Sequence, residues 1–270
     1  MSSSSEVSIQ LRAPATALGH RLAGDVLSVG ADVERLQVGM RVTLDSQPMC
    51  DGCLVTTSAV CALRPHLRPG AVADSVSVLG PLASHLHQIP DALSYESAVQ
   101  AGLVASVAEA TLTSGVHFGD TVVILGSGAV ALLHAQLSRL RGATQVICLV
   151  EQRAAESRLV MAGAIPLDVG RGLIELEVMN LTGGRGADVV FEAVGTPEAN
   201  ALAPRMARRG GTVVAFGQRA PSTELSVDSS HRHERQLRLL SSSGYSAGMF
   251  ERCLRLLAAG SVDLPRELDS

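Results

Sequence analysis

Apolar and polar positions change rhythm about a third of the way along the chain. From residue 22 to 44, "LAGDVLSVGADVERLQVGMRVTL" reads as two short strand-like runs broken by glycines. "AVADSVSVLG" (71–80) alternates as a strand buried on one face. From Ile89, "IPDALSYESAVQAGLVASVAEAT" predicts a helix, led in by Pro90 and Asp91 with Ser94 placed to cap it. Residues 1–13 are Ser-rich and are expected to fray. Beyond residue 90 the strands become continuously apolar. "DTVVILGSGAVALLHAQLSRLRGATQVICLV" (120–150) reads as strand, glycine turn, helix, strand. A helix at about 153–162 follows, then the strands "ADVVFEAVG" and "GGTVVAFGQ", with the helix "PEANALAPRMARR" between them. In the last helix, "AGMFERCLRLLAAG", Phe250, Leu254, Leu257 and Ala258 share one face. Strands alternating with helices imply right-handed crossovers and an α/β fold with a doubly wound parallel sheet. The expected organisation is a β-rich domain over 1–90 and an α/β domain over 91–270.

Composition narrows the function classes. Hydrophobic residues are 46% of the 270 and aromatics only 2%, so the core is aliphatic, as a buried parallel sheet requires. The net charge of −4 gives no attraction to nucleic acid or an anionic membrane. All 22 basic residues are arginine, a bias that suggests GC-rich coding and a bacterial source. No apolar run reaches a membrane-spanning length, and "MSSSSEVSIQ" lacks the apolar core of a signal peptide. The expectation is a cytoplasmic chain whose five cysteines are thiols or metal ligands.

The chemistry-bearing motif is "TVVILGSGAVALL". Gly126 permits a tight turn out of the strand, Gly128 lets a pyrophosphate approach the backbone, and Ala131 keeps the helix close to the sheet. Gly126, Ser127, Gly128, Ala129 and Val130 thus form a candidate phosphate-binding turn at a helix N-terminus. The next strand ends "ICLVEQR". Glu151 stands one place beyond the acid expected to hold an adenosine ribose, where it either reaches the hydroxyls or caps the next helix. Arg153 would equally suit a 2′-phosphate, which leaves NAD and NADP both open.

Taken together these segments resemble the zinc-type medium-chain alcohol dehydrogenase family, its polyol and threonine dehydrogenase branches included. The resemblance runs from about residue 14 to 265. It is carried by "GHRLAGDVLSVGADVERLQVGMRVT", "IPDALSYESA", "GDTVVILGSGAVALLHAQLSRLRGA", "TGGRGADVVFEAVGTPEA" and "RRGGTVVAFG". It implies a GroES-like catalytic domain beside the Rossmann domain, NAD or NADP as cofactor, and hydride transfer to or from a small alcohol or carbonyl. It also implies homodimers or other homo-oligomers, and cofactor-bordering loops at Glu192 and Gly195 and at Phe216 and Gly217.

The family's catalytic zinc ligands carry over poorly. No cysteine stands where the N-terminal ligand would be, His20 matches the histidine, Arg21 replaces the glutamate, and Gly102 falls at the junction ligand. A lone imidazole beside a permanently charged guanidinium is a poor zinc site. A catalytic zinc is therefore not expected, and His20 is left as a candidate acid or base or as a structural histidine. Cys50, Cys53 and Cys61 resemble the family's four-cysteine structural zinc lobe with Gln47 at the first position. Structural zinc would then need a fourth ligand such as His66; otherwise the loop is a metal-free remnant. Cys148 and Cys253 are expected in the core, His117 at the surface, His134 packed or exposed on its helix, and "HRHERQLR" (231–238) in a solvated connector. Measured against the family, both ends look shortened, with the substrate domain reduced and an edge left open to association. Two other readings stay open, a non-catalytic scaffold on the same fold and a redox-neutral lyase or epimerase.

Overall fold

A computed structural model describes residues 4–12, 22–45, 67–69, 74–151, 156–217 and 233–264. His20, Arg21, Cys50, Cys53, Cys61, His66 and Arg153 lie outside the described residues, and so does the start of the 231–238 run. The chain divides into two compact units, one of residues 1–105 with 244–261, the other of residues 106–243 with 262–270.

The first unit holds a six-stranded sheet: β1 (Val7–Leu11), β2 (Ala23–Val29), β3 (Arg41–Leu44), β4 (Leu67–Pro69), β5 (Ser75–Val78) and β6 (Leu86–Gln88). They pair antiparallel in the order β4-β5-β1-β2-β3-β6. The start of the chain thus behaves differently from the expected frayed segment. "VSIQL" alternates apolar and polar, and Val7 and Ile9 are fully buried between β2 and β5. The short helix α1 (Tyr95–Ala98) opens at Ser94, whose Oγ accepts from the Ser97 amide at 3.1 Å. Side chains fasten α1 to β2 and β3. The Tyr95 hydroxyl donates to Asp25 Oδ1 at 2.5 Å, and the Arg41 guanidinium lies 4.4 Å over the Tyr95 ring. Burial alone would raise the Asp25 carboxyl, but hydrogen bonds from Tyr95 and Arg12 outweigh it and hold it below the usual range.

The second unit holds β7 (Thr121–Leu125), β8 (Gln145–Val150), β9 (Ile165–Asp168), β10 (Ala187–Glu192), β11 (Ala207–Ala215) and β12 (Arg238–Ser241). All pair parallel, in the order β12-β11-β10-β7-β8-β9. The chain builds outward from β7 to β8 and β9, then returns to the other side of β7 with β10, so strand order reverses between β7 and β10. This is the doubly wound Rossmann arrangement. Every residue of β7 is buried, with helices on both faces.

The helices are α2 (Ala101–Ser114), α3 (Ala129–Leu140), α4 (Glu156–Met161), α5 (Ile174–Leu181), α6 (Pro197–Met206) and α7 (Met249–Ala258). Three strands or strand starts depart from the sequence reading. β9 and β12 are four-residue edge strands with no buried stripe of their own, and each pairs with one neighbour. The strand expected from Gly210 begins at Ala207, where pairing with Ala187 takes "ARR" from the helix. Cys148 and Cys253 are buried as expected, and burial pushes the Cys148 thiol up to about 12. The apolar face of α7 is buried at Phe250, Leu254 and Leu257 within the first unit.

Candidate functional site

The site grows from the carboxyl ends of β7, β8 and β10, where the reversal of strand order parts the loops. After Leu125 the chain must turn sharply into α3. Gly126 does so at φ +134, a backbone that a side-chain-bearing residue rarely adopts, with Ala131 and Ala193 close to where its Cβ would be. Gly128 then opens α3 as its N-cap. Its φ of −82 and ψ of −166 suit any residue, and none of the described residues comes within 4 Å of where its Cβ would sit. The fold itself therefore does not require glycine here; the space it leaves faces a cavity.

That cavity has a volume of about 560 Å³. Gly126, Ser127, Gly128, Ala129, Val130 and Glu151, expected together from the sequence, all line it. Residues that the sequence reading missed line it too, among them Val169, Thr196, Glu198 and Leu202. The signal was present in "GTPEA". Thr196 caps α6 by accepting from the Ala199 amide at 3.2 Å, Pro197 fills the first helical position, and Glu198 lies in the first turn. A second helix N-terminus thus opens onto the same space.

Gly195, Phe216 and Gly217 do not line this cavity but fix its border. Glu192, at the end of β10, is 1% exposed. Its Oε1 accepts from the amides of Val194 at 2.8 Å and Gly195 at 2.6 Å, and its carbonyl accepts from the amides of Phe216 and Gly217. One residue so ties both loops together. Gly217 is pressed against Gly195, whose backbone nitrogen would lie 2.2 Å from any added Cβ. We expect Glu192→Ala to orphan two amides and cost about 1–3 kcal/mol of stability. Glu192→Gln, which keeps an acceptor oxygen, should lose less than half as much, and urea unfolding of the two variants checks this.

Behind the border sits His134 on α3. It is fully buried, stacked on Phe191 at 4.0 Å and edge-on to Phe216 at 5.0 Å. Its Nδ1 is 3.5 Å from Thr111 Oγ1, and its Nε2 has no partner. Burial pushes its pKa down to about 3, so it packs as a neutral ring. His117 is exposed, as expected.

Gly102 stands where the resemblance places the junction ligand of a catalytic zinc. It offers no donor, and a Cβ there would stand 3.5 Å from the Tyr245 hydroxyl and 3.9 Å from Phe250 Cε2. That hydroxyl donates to the buried Asp45 Oδ1 at 2.6 Å. Aromatic side chains thus stand in ordinary contact with the position at which the resemblance places a junction ligand.

These features define a two-unit dehydrogenase architecture, and the comparisons agree. Residues 4–91 match the alcohol dehydrogenase GroES-like domain, and residues 129–259 match the zinc-binding dehydrogenase family. The chain belongs to the zinc-type medium-chain alcohol dehydrogenase family. It is 29% identical to sorbitol dehydrogenase 2 of Saccharomyces cerevisiae over 94% of this chain and 73% of that protein. It is 26% identical to the sorbitol dehydrogenase of Bacillus subtilis, over 91% and 70%. Among solved structures it resembles a protein of Sinorhizobium meliloti 1021, described as a zinc-binding dehydrogenase and bound to NADP. There the TM-score is 0.81 at 25% identity, covering 98% of this chain and 84% of that one. No helix among the described residues is long and apolar enough to cross a membrane.

Proposed function

We propose that this protein is a nicotinamide-dependent oxidoreductase that interconverts a small alcohol, of the polyol class, and its carbonyl without a catalytic zinc. The observation that carries this reading is the open edge of Gly128, a glycine with ordinary dihedrals and, among the described residues, no neighbour at its missing Cβ, facing a cavity at the point where strand order reverses. The polyol dehydrogenases among its relatives support the substrate class. When bound, the nicotinamide cofactor supplies or takes up the hydride.

The chain's own residues divide the remaining work. The amides after Gly128, at the positive end of α3, hold the pyrophosphate. The Glu151 carboxylate accepts from ribose hydroxyls. The loops at Gly195 and at Phe216 and Gly217, tied by Glu192, border the cofactor. His20 carries the proton to or from the substrate oxygen at its imidazole, the side chain best suited by type to both directions near neutral pH. In this reading residues 91–270 are the nucleotide-binding domain and residues 1–90 the catalytic-type domain. The enzyme works in the cytoplasm as a homo-oligomer, and a zinc at Cys50, Cys53 and Cys61, if bound, is structural.

Titration with NADH should saturate in the micromolar range, on the order of −8 kcal/mol. NAD(P)-linked oxidation of a polyol panel should then proceed at a rate unchanged by exhaustive chelation. Binding of neither cofactor would sink the proposal, and a rate abolished by chelation and restored by zinc would sink its metal-free part.

A further inference from the structure

We infer that Glu192 is a positioning residue for the nucleotide, one that sets its affinity by holding a wall of the cavity. The inference rests on the cofactor reading above and concerns how that same site is kept in shape. Glu192 ends β10, is buried and does not line the cavity, whereas Ala193, Val194 and Thr196, which follow it, all do. No helix or strand holds residues 193–196.

Hydrogen bonds shape that wall instead. At its start the Ala193 amide donates to the carbonyl of Leu125, the last residue of β7, at 3.1 Å. At its finish Thr196 caps α6. Between them the chain passes through Gly195 at φ +89, and the amides of Val194 and Gly195 both donate to Glu192 Oε1. The Glu192 carbonyl also accepts from the amides of Phe216 at 2.9 Å and Gly217 at 2.8 Å, which fixes the loop on which Gly195 packs. Without the side-chain acceptor the two amides of the wall must find other partners, and the wall shifts with them. Binding surfaces have to be held to within about 0.5 Å of their productive place. A misplacement of about 1 Å can cost on the order of a hundredfold. The plain alternative, that Glu192 serves stability alone, has its measure in Asp188 on the same strand. The Asp188 carboxylate accepts from the Thr121 amide at 2.8 Å and from Arg208 Nε at 2.5 Å, and it does not line the cavity.

The test is to measure dissociation constants of NADH and NADPH by cofactor fluorescence, well below the melting temperature, for wild type, Glu192→Ala, Glu192→Met, Glu192→Gln and Asp188→Ala. Glu192→Met fills the side chain's space without an acceptor, so it keeps the test open where the alanine variant fails to fold. Glu192→Ala and Glu192→Met should bind the preferred nucleotide at least about tenfold more weakly, each tenfold being 1.4 kcal/mol. Glu192→Gln, which keeps an acceptor oxygen, should stay within about threefold of wild type. Asp188→Ala should melt lower and bind as wild type does, which separates holding the wall from stabilising the strand. Wild-type affinity in Glu192→Met overturns the inference and leaves the cofactor reading standing. So does an equal loss in Glu192→Gln, which would mean that the nucleotide senses the charge, or an equal loss in Asp188→Ala. Binding of neither nucleotide by wild type overturns the cofactor reading, and the inference falls with it.

Discussion

Gly128→Ser is expected to weaken nucleotide binding strongly without cost to the fold. The position is the N-cap of α3, with φ −82 and ψ −166, and no atom of the described residues within 4 Å of where a Cβ would stand. Serine is at least as good as glycine at an N-cap, because its hydroxyl can accept from a free amide of the first turn. Stability should therefore stay the same or rise by a few tenths of a kcal/mol. The added hydroxymethyl group, however, projects into the space through which a pyrophosphate would approach the helix N-terminus. We expect the affinity for NADH to fall by at least about thirtyfold, roughly 2 kcal/mol, while the melting temperature is kept. The two readouts move independently only if glycine at 128 serves a ligand. Wild-type affinity in Gly128→Ser would mean that the turn takes no phosphate, whatever the fold.

The second large effect concerns acid stability. His134 is neutral in the native state because its ring is sealed between Phe191, Phe216 and α2, with a folded pKa of about 3. In the unfolded chain it titrates near 6.5. Above that value both states are neutral and His134 adds no pH dependence. Below it the unfolded chain takes up a proton that the native state refuses, so stability falls as pH drops, by about 1.4 kcal/mol per unit until about pH 3. Between pH 7 and pH 5 the loss from this one group is about 2 kcal/mol. Urea unfolding of wild type and His134→Leu at both pH values isolates it. The gap between the two proteins should shift by about 2 kcal/mol in favour of the leucine variant at pH 5. A gap that stays constant would show that the imidazole can be protonated in place.

His134 also illustrates how far residue type alone reaches. Its helix position was readable, and burial was one of two expectations for it. The choice was made by Phe191 of β10 and Phe216 just past β11, both far along the sequence. Glu192 is similar. As a polar residue closing an apolar strand it looks like ordinary strand-end polarity, yet two loops hang from its carboxylate and carbonyl. β1 was hidden by a different cause. Its serine-rich surroundings suggested fraying, although "VSIQL" carries the alternation of a strand; what orders it is pairing on both sides with β2 and β5.

The sequence by itself determined the class of fold and half of the site. Continuous apolar strands alternating with amphipathic helices leave few ways to bury both faces of a sheet, and a glycine turn between strand and helix has a single geometric use. Those are local properties, written in neighbouring residues. The tertiary structure decided what depends on residues distant in sequence. It set edge strands β9 and β12, too short to show a period, beside strands that supply their partners. It set Tyr245 and Phe250 beside Gly102, from well over a hundred residues away. It also brought Thr196 and Glu198 of α6 to the same cavity as Gly128 of α3, because strand order reverses between β7 and β10 and the two helix N-termini open onto that gap.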